Sequence, residues 1–181
     1  MTSKIIGSGN CILSLKITTS HFNNHNFLDI NGSVLKDNNQ IIQKKLQLIT
    51  GISERKYANN SQVTSDLGLI AAEKAIKDAN IDPESLDYII FAHNFGDVHH
   101  SSNQMDSVPS LAARVKNKLK IKNNFCVAYD LLFGCPGWIE AFIQANSFIK
   151  SGLAKRCLVI GAETLSRVVD EHDRDTMIYS D

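Results

Sequence analysis

The sequence predicts an α/β fold built on a mostly parallel sheet. Short apolar segments alternate along the chain with longer segments of helical periodicity. Nearly continuous apolar runs are typical of strands buried on both faces of a parallel sheet. Strand–helix alternation in turn predicts parallel strands with helices packed on their faces. A Gly-Cys-Pro-Gly turn joins one such strand to the longest apolar helix. The 181 residues can bury one substantial core, so we expect one α/β unit over 1–181.

The first part of the chain predicts one short strand, a long loop and two helices. Apolar residues bounded by glycines favour the strand, and a polar, Asn-rich composition favours the loop. Gly51 is a typical helix stop, and Thr64-Ser65-Asp66 resembles a helix N-terminus. In order, the predicted elements are a strand at 5–9, a surface loop at 20–39, and helices at 40–49 and 65–80.

The second part predicts three buried strands alternating with two helices. Pro109 favours the start of a helix, and Gly152 favours the end of the last one. The predicted elements are a strand at 86–92, a helix at 109–119, a strand at 125–129, a helix at 135–150 and a strand at 157–162.

The turn at Cys135 predicts a nucleophile. Pro136 suits the first position of a helix, which makes Cys135 the expected N-cap. Its sulfur would then face unpaired backbone N–H groups and the positive end of the helix dipole, which favours the thiolate. Gly134 and Gly137 leave space for a substrate carbonyl. The alternative is a buried structural cysteine. The carboxyl end of a strand is also where open α/β sheets usually place their sites.

Composition excludes several classes of function. Basic and acidic residues are balanced at 19 each, so no nucleic-acid surface is expected. No apolar run reaches the ~20 residues that span a bilayer, so no membrane span is expected. The four cysteines include no Cys-x-x-Cys, which argues against a disulfide framework and favours a cytoplasmic location.

His93, His99 and His100 surround Asp97 in the sequence and invite a metal-site hypothesis. Adjacent histidines cannot easily face one ion, and no helical His-x-x-x-His spacing is present. We therefore expect no metal and predict a loop at the rim of a pocket instead.

Five ordered stretches resemble the β-ketoacyl-[acyl-carrier-protein] synthase III family of thiolase-fold condensing enzymes. They lie at residues 4–9, 50–55, 130–138, 149–167 and 173–176. The resemblance implies a thiolase-like fold, here the N-terminal half of a layered αβαβα architecture with a mostly parallel mixed sheet. It also implies that residues 1–181 are the half-domain that carries the nucleophile, and that the C-terminal half is absent from this chain.

The resemblance implies the chemistry and the substrate contacts. Cys135 would accept an acyl group from acyl-coenzyme A, with no permanently bound cofactor, for condensation with malonyl-acyl carrier protein. Arg174 matches an arginine that packs on the adenine of coenzyme A, although a surface salt bridge is an equal alternative. Lys45 and Ile49 stand where the family has a stacking tryptophan and an arginine. Two alternatives follow: coenzyme A binds differently, with Lys45 meeting a phosphate, or an acyl-carrier protein delivers both substrates. Trp138 replaces a phenylalanine and is expected in the core.

The resemblance also implies partners. In the family, a His and an Asn from the second half support decarboxylation of malonyl-acyl carrier protein. We therefore expect that half as a second polypeptide or a cleaved fragment, since a chain end at Asp181 would interrupt an expected strand. We also expect whole units to pair as a homodimer. Two alternatives remain open. One is a ketosynthase relative making polyketide-like or aryl products; the other is a non-catalytic partner subunit of a condensing-enzyme heterodimer, against which the retained Cys135 argues.

Overall fold

The computed structural model describes residues 3–102 and 104–181, and it confirms the α/β prediction. The helices are α1 (Asn39–Thr50), α2 (Thr64–Ala79), α3 (Leu111–Lys118) and α4 (Gly137–Ser151). The strands are β1 (Leu15–Thr18), β2 (Glu54–Tyr57), β3 (Tyr88–His93), β4 (Asp97–Val98), β5 (Met105–Asp106), β6 (Val127–Leu132) and β7 (Cys157–Gly161). Short 3₁₀ helices lie at Thr19–Phe22, Pro83–Ser85, Leu165–Arg167 and Arg174–Ile178.

The central sheet has three parallel strands in the order β6-β3-β7. Tyr88 of β3 is in register with Val127 of β6 and with Cys157 of β7. Because the three strands start level and run the same way, their carboxyl ends form one edge. Two antiparallel pairs, β1-β2 and β4-β5, make the strand set mixed.

Helices cover both faces of the central sheet. Ile89 and Phe91 of β3 belong to a buried cluster with residues of α2 and α3. Ile90 points the other way, into a cluster with Ala141 and Ala145 of α4. Ile89, Ile90 and Phe91 have no exposed surface, as expected for a central strand buried on both sides. The result is a helix–sheet–helix stack.

Gly68 in the middle of α2 is expected to resist substitution, although alanine normally favours helices. A Cβ at this position would collide with the Cε2 atom of the buried Phe91 ring and lie 3.1 Å from Ile160 Cγ2. Overpacking should outweigh the gain in helix propensity of ~1 kcal/mol. We predict that Gly68→Ala lowers the free energy of unfolding in urea by about 1–3 kcal/mol. Asn117→Ala, at an exposed position of α3, should change it by less than about 0.5 kcal/mol. Equal effects of the two changes would contradict this packing.

The predicted strand at 5–9 is wrong in this structure. The segment Ser3–Gly9 pairs with none of the described strands and lies against α2. A Cβ at Gly7 would lie 2.5 Å from the backbone oxygen of Ala75, so only glycine permits this approach. The Ser8 N–H also donates to an Asp78 carboxylate oxygen at 2.8 Å. The glycines therefore allow close packing on a helix, and they do not mark the ends of a strand.

Other elements differ in their limits. Helix α3 begins at Leu111 because the Ser110 hydroxyl caps it by accepting from the Ala113 N–H. Strand β6 begins and ends later than predicted, and it is only partly buried because it lies at the edge of the sheet. The short antiparallel pair β1-β2 was not predicted, since its four-residue strands lack a clear apolar pattern.

The polar loop predicted at 20–39 packs against α1 through two aromatic residues. Phe22 and Phe27 are buried and share a cluster with Ile42 of α1.

Candidate active site

Cys135 lies in a tight turn between β6 and α4, at the carboxyl edge of the sheet. The Gly137 N–H donates to the Gly134 carbonyl at 3.0 Å, and Gly134 has a φ of 66°, which glycine tolerates best. The predicted cap is off by one residue. Pro136 is the N-cap, because its carbonyl accepts the Glu140 N–H and α4 begins at Gly137. Cys135 itself precedes the cap and is exposed.

The surroundings of Cys135 leave room for a reacting group. A Cβ at Gly137 would lie 3.3 Å from the Ala92 Cβ, so the glycine lets the start of α4 approach β3 closely. Within the described residues, the Cys135 N–H has no hydrogen-bond acceptor. A substrate carbonyl that binds here could be attacked at its carbon by the thiol, while its oxygen accepts a hydrogen bond from the Cys135 N–H.

Asn94 and Glu163 connect the three strand ends around this turn. The Asn94 Oδ1 atom accepts the Gly134 N–H at 2.8 Å. The Asn94 N–H donates to Glu163 Oε2 at 2.6 Å. Asn94 directly follows β3, and Glu163 comes two residues after β7. The Cys135 turn is therefore linked by hydrogen bonds to the end of β3 and, through Asn94, to the end of β7.

A second network joins His93, Asp130 and the start of α3. The His93 Nδ1 atom accepts the Gly96 N–H at 3.0 Å, which places the ring proton on Nε2. Nε2 lies 2.9 Å from Asp130 Oδ2, and the same carboxylate accepts the N–H groups of Leu111 and Ala112. Both ring nitrogens of His93 are therefore hydrogen-bonded within this network, and no described hydrogen bond joins His93 to Cys135.

Asp97, which the sequence places between His93 and His99, also has its carboxylate occupied by hydrogen bonds. It is buried and accepts from the N–H and hydroxyl of Ser65. Arg114 bridges it to Asp106. Over residues 3–102 and 104–181, no three His, Cys, Asp or Glu side chains are grouped to hold a metal ion. The loop after β3 thus fixes α2 and α3 to the sheet.

Lys45 and Arg174 lie on two elements that pack against each other. Lys45 is exposed on α1 and pairs with Asp37 at 2.7 Å. Arg174 is exposed, and its Nε is 3.6 Å from Asp175. Ile42 of α1 and Met177 of the Arg174–Ile178 helix share one buried cluster. The structure therefore brings the elements of Lys45 and Arg174 together, but no described hydrogen bond or ion pair joins them to Cys135.

Trp138 is not a core residue, contrary to expectation. It is 46% exposed and lies over Gly161, where a Cβ would be 2.8 Å from its Cδ1 atom. It packs edge-on against Phe142 at 4.6 Å between ring centroids. With the Ser3–Gly9 segment and β7, these rings line a cavity of about 370 Å³, whose lining does not include Cys135.

The four cysteines differ in their environment. Burial raises the pKa of Cys11 and Cys126. Burial, with Asp87 and Cys126 nearby, raises the pKa of Cys157 to about 11. At pH 8 a thiol with that pKa is ionised in only about one molecule in a thousand. Cys135 is the one cysteine exposed in the structure.

Brief treatment with iodoacetamide at pH 8 is expected to label Cys135 first. Only the thiolate reacts, and burial raises the pKa of the other three thiols, all of which are less exposed than Cys135. Peptide mapping by mass spectrometry gives the four rates directly. Labelling of Cys157 should rise with pH between about 8 and 11, because its thiol ionises over that range. Labelling of Cys135 no faster than Cys157 in the folded protein would contradict the assignment of Cys135 as the reactive thiol.

Sequence reasoning found Cys135 but missed Asn94, Glu163 and Asp130. All three lie at or just beyond the carboxyl halves of parallel strands. Polar residues that follow an apolar strand in this way are a usable signal, because aligned strands bring them to one edge.

No helix of the described chain is long and apolar enough to cross a bilayer.

The fold and the site together define a class. A helix–sheet–helix unit with an exposed cysteine on a glycine-flanked turn, where a strand passes into a helix, agrees with the thiolase-like fold that the motifs implied.

Comparison with known proteins agrees with that class. Residues 129–181 match the family profile of 3-oxoacyl-[acyl-carrier-protein] synthase III. The chain is 35% identical over 178 residues to β-ketoacyl-[acyl-carrier-protein] synthase III 1 of Vibrio vulnificus, covering 98% of this chain and 49% of the relative. It is 43% identical over 129 residues to the Neisseria gonorrhoeae synthase III, covering 71% of this chain and 38% of the relative.

A solved structure shows the same correspondence. The 3-oxoacyl-[acyl-carrier-protein] synthase III of Aquifex aeolicus aligns with a TM-score of 0.74 and 34% identity, over 96% of this chain and 48% of that one. The chain spans about half the length of the curated relatives it matches. It is thus similar to about half of a β-ketoacyl-[acyl-carrier-protein] synthase III, in agreement with the motif resemblance.

Proposed function

We propose that this chain is the nucleophile-bearing half of a condensing acyltransferase of fatty-acid or related biosynthesis. The observation that carries the proposal is the exposed Cys135 thiol beside its own unpaired N–H at the carboxyl edge of the sheet. In the first step the Cys135 thiolate attacks the thioester carbonyl of acyl-coenzyme A, and the coenzyme A thiolate leaves. The Cys135 N–H donates to the oxygen that becomes negative in this step.

The second step of the proposed reaction forms the carbon–carbon bond. Malonyl-acyl carrier protein loses carbon dioxide, and the resulting enolate carbon attacks the acyl thioester on Cys135. The cysteine leaves as thiolate, and the product is a 3-oxoacyl-acyl carrier protein. This sequence of thioester reactions calls for no metal and no permanently bound cofactor. His93 cannot assist it, because both of its ring nitrogens are already hydrogen-bonded.

Lys45 and Arg174 are the proposed contacts for coenzyme A. Both are exposed cations, and the elements that carry them pack together through Ile42 and Met177. The planar Arg174 guanidinium suits stacking on adenine, and it is held only by a long 3.6 Å contact with Asp175. Lys45 would exchange Asp37 for a phosphate, a change that costs little because both partners are exposed.

A second half is proposed to complete the site. The chain covers about half of its relatives, and β7 has no partner on its outer edge among the described strands. All five residues of β7 border the 370 Å³ cavity that separates it from Ser3–Gly9. Successive residues of a strand point to opposite faces of the sheet, so a cavity on one face alone would contact only every second residue. A cavity that contacts all five residues therefore lies along the free edge of β7. An added strand fits this place, and the half that supplies it would also supply the catalytic His and Asn.

Complete units are proposed to pair as homodimers in the cytoplasm. Strand β6 forms the other edge of the sheet, and Val127, Leu132 and Phe133 at its ends are about half exposed. An apolar edge strand of this kind is a template for pairing with a second copy.

The assembly is tested by purifying the protein through a tag on this chain. Light scattering after size exclusion and denaturing electrophoresis give the mass and the composition, and radiolabelled malonyl-acyl carrier protein reports decarboxylation. We expect a complex larger than the 20.0 kDa chain that releases carbon dioxide. A well-folded 20.0 kDa monomer without decarboxylation would overturn the split-site proposal and favour a non-catalytic role.

A further inference from the structure

We propose that Asn94 is a positioning residue for the nucleophile, because its side-chain carbonyl holds the Gly134 N–H and so fixes the orientation of the Cys135 turn. The inference rests on the proposed function of Cys135. Asn94 does not reach the reacting atoms in this assignment. Its effect passes through the backbone of Gly134.

Two hydrogen bonds hold the peptide groups on either side of Gly134. Its N–H donates to Asn94 Oδ1 at 2.8 Å, and its carbonyl accepts the Gly137 N–H at 3.0 Å. The second peptide group also carries the Cys135 N–H, which therefore points away from Gly137. Gly134 has the weakest intrinsic backbone preference of any residue type. External hydrogen bonds must consequently set its conformation, and Asn94 supplies the one on the strand side.

Asn94 is itself held in place. Its N–H donates to Glu163 Oε2 at 2.6 Å, a short bond to a charged acceptor, which is stronger than a neutral one. Glu163 Oε1 also accepts the Thr164 N–H at 3.3 Å. The ends of β3 and β7 therefore share one carboxylate, and that link fixes the backbone from which the Asn94 side chain extends. Glu163 thus holds the Asn94 backbone, and the Asn94 side chain holds Gly134, the residue before Cys135.

The side chain must offer an acceptor at this point. The Gly134 N–H is a donor, so the amide oxygen of Asn94 has to face it, and the amide nitrogen points elsewhere. Aspartate keeps an oxygen at the same distance from the backbone, whereas leucine has a similar volume and no acceptor. Asn94→Asp and Asn94→Leu therefore separate hydrogen bonding from packing.

Asn123 provides a matched control. Its side chain also makes several bonds to backbone groups, donating to the carbonyls of Glu84 and Leu86 and accepting the Phe125 N–H. It lies at the amino end of the same sheet, before β6, and so far from the turn. Asn123→Leu removes comparable bonds without touching the Cys135 turn.

The experiment has two readouts on protein purified through a tag on this chain. Stopped-flow acylation by acetyl-coenzyme A gives a limiting rate and a half-saturating concentration. Asn94→Leu should lower the limiting rate about 10- to 100-fold with little change in half-saturation, since misplacement affects the transition state. Asn94→Asp and Asn123→Leu should stay near the wild-type rate. A wild-type rate in Asn94→Leu, or an equal loss in folded Asn94→Asp, would overturn the inference.

Amide hydrogen exchange of Gly134, followed by NMR, tests the contact without any activity. It should be about tenfold faster in Asn94→Leu than in wild type and unchanged in Asn123→Leu. If wild type forms no acyl-enzyme, the proposed function fails, and the exchange rate alone decides whether Asn94 positions the turn. Unchanged Gly134 exchange in Asn94→Leu contradicts the positioning role.

Discussion

Cys135→Ala is expected to abolish acyl-enzyme formation while leaving the fold intact. Incubation of the assembled wild-type protein with acyl-coenzyme A, without a malonyl partner, should increase the mass by one acyl group on Cys135. The variant should show no increase, because loss of the nucleophile removes the covalent step and lowers turnover by ~10⁴-fold or more. Alanine fits an exposed turn flanked by glycines, so the variant should unfold at the same urea concentration as wild type.

Cys11→Ala is the control for this experiment. Cys11 is only partly exposed, burial raises its pKa, and it packs beside a cluster formed by Leu13, Ala58 and Leu67. Acylation of Cys11→Ala should match wild type. If the Cys135→Ala protein still gains an acyl group, the nucleophile lies elsewhere. The same mass measurement with straight and branched acyl donors would identify the preferred primer.

Asp130→Ala is expected to destabilise the fold by about 3–5 kcal/mol. The change leaves the N–H groups of Leu111 and Ala112 and the Nε2–H of His93 without their acceptor. The side chains of His93 and Asp130 are 0% and 8% exposed, so water cannot easily replace the carboxylate. Unpaired buried donors cost on the order of 1–3 kcal/mol each. Urea unfolding followed by circular dichroism gives the difference.

Asp82→Ala is the matched control for Asp130. Asp82 also accepts a helix N-terminal N–H, that of Glu84, but at an exposed position. Its loss should cost about 1 kcal/mol or less. Asp130→Asn, which keeps one acceptor oxygen, should fall between the two. If Asp130→Ala is no more harmful than Asp82→Ala, the network around His93 does not hold α3 to the sheet.

Local signals predicted the elements around the site well. The strand at 86–92 and the helix at 65–80 appear as β3 and α2 within one or two residues. Both have long apolar patterns, and α2 also has Asp66, which accepts the Val63 N–H at its start. The turn at Cys135 could be predicted because glycine and proline act through their own backbone preferences.

Contacts between distant segments could not be predicted in the same way. The glycines at 7 and 9 suggested the ends of a strand, but they pack against the backbone of α2. Trp138 was expected in the core, but it lies half exposed over Gly161. In each case the residue type is compatible with both arrangements, and the choice depends on which element lies opposite.

The sequence by itself determined the α/β class, the order of the main helices and strands, and the cysteine on a glycine-flanked turn. These features depend on apolar periodicity and on the backbone preferences of a few residues, which act over short stretches of chain. Only the tertiary structure decided that Asn94 holds Gly134, that Glu163 holds Asn94, and that Asp130 serves both His93 and α3. Those contacts join residues 18 to 69 positions apart. They form because three parallel strands in register bring their ends to one edge, and no local pattern encodes that alignment.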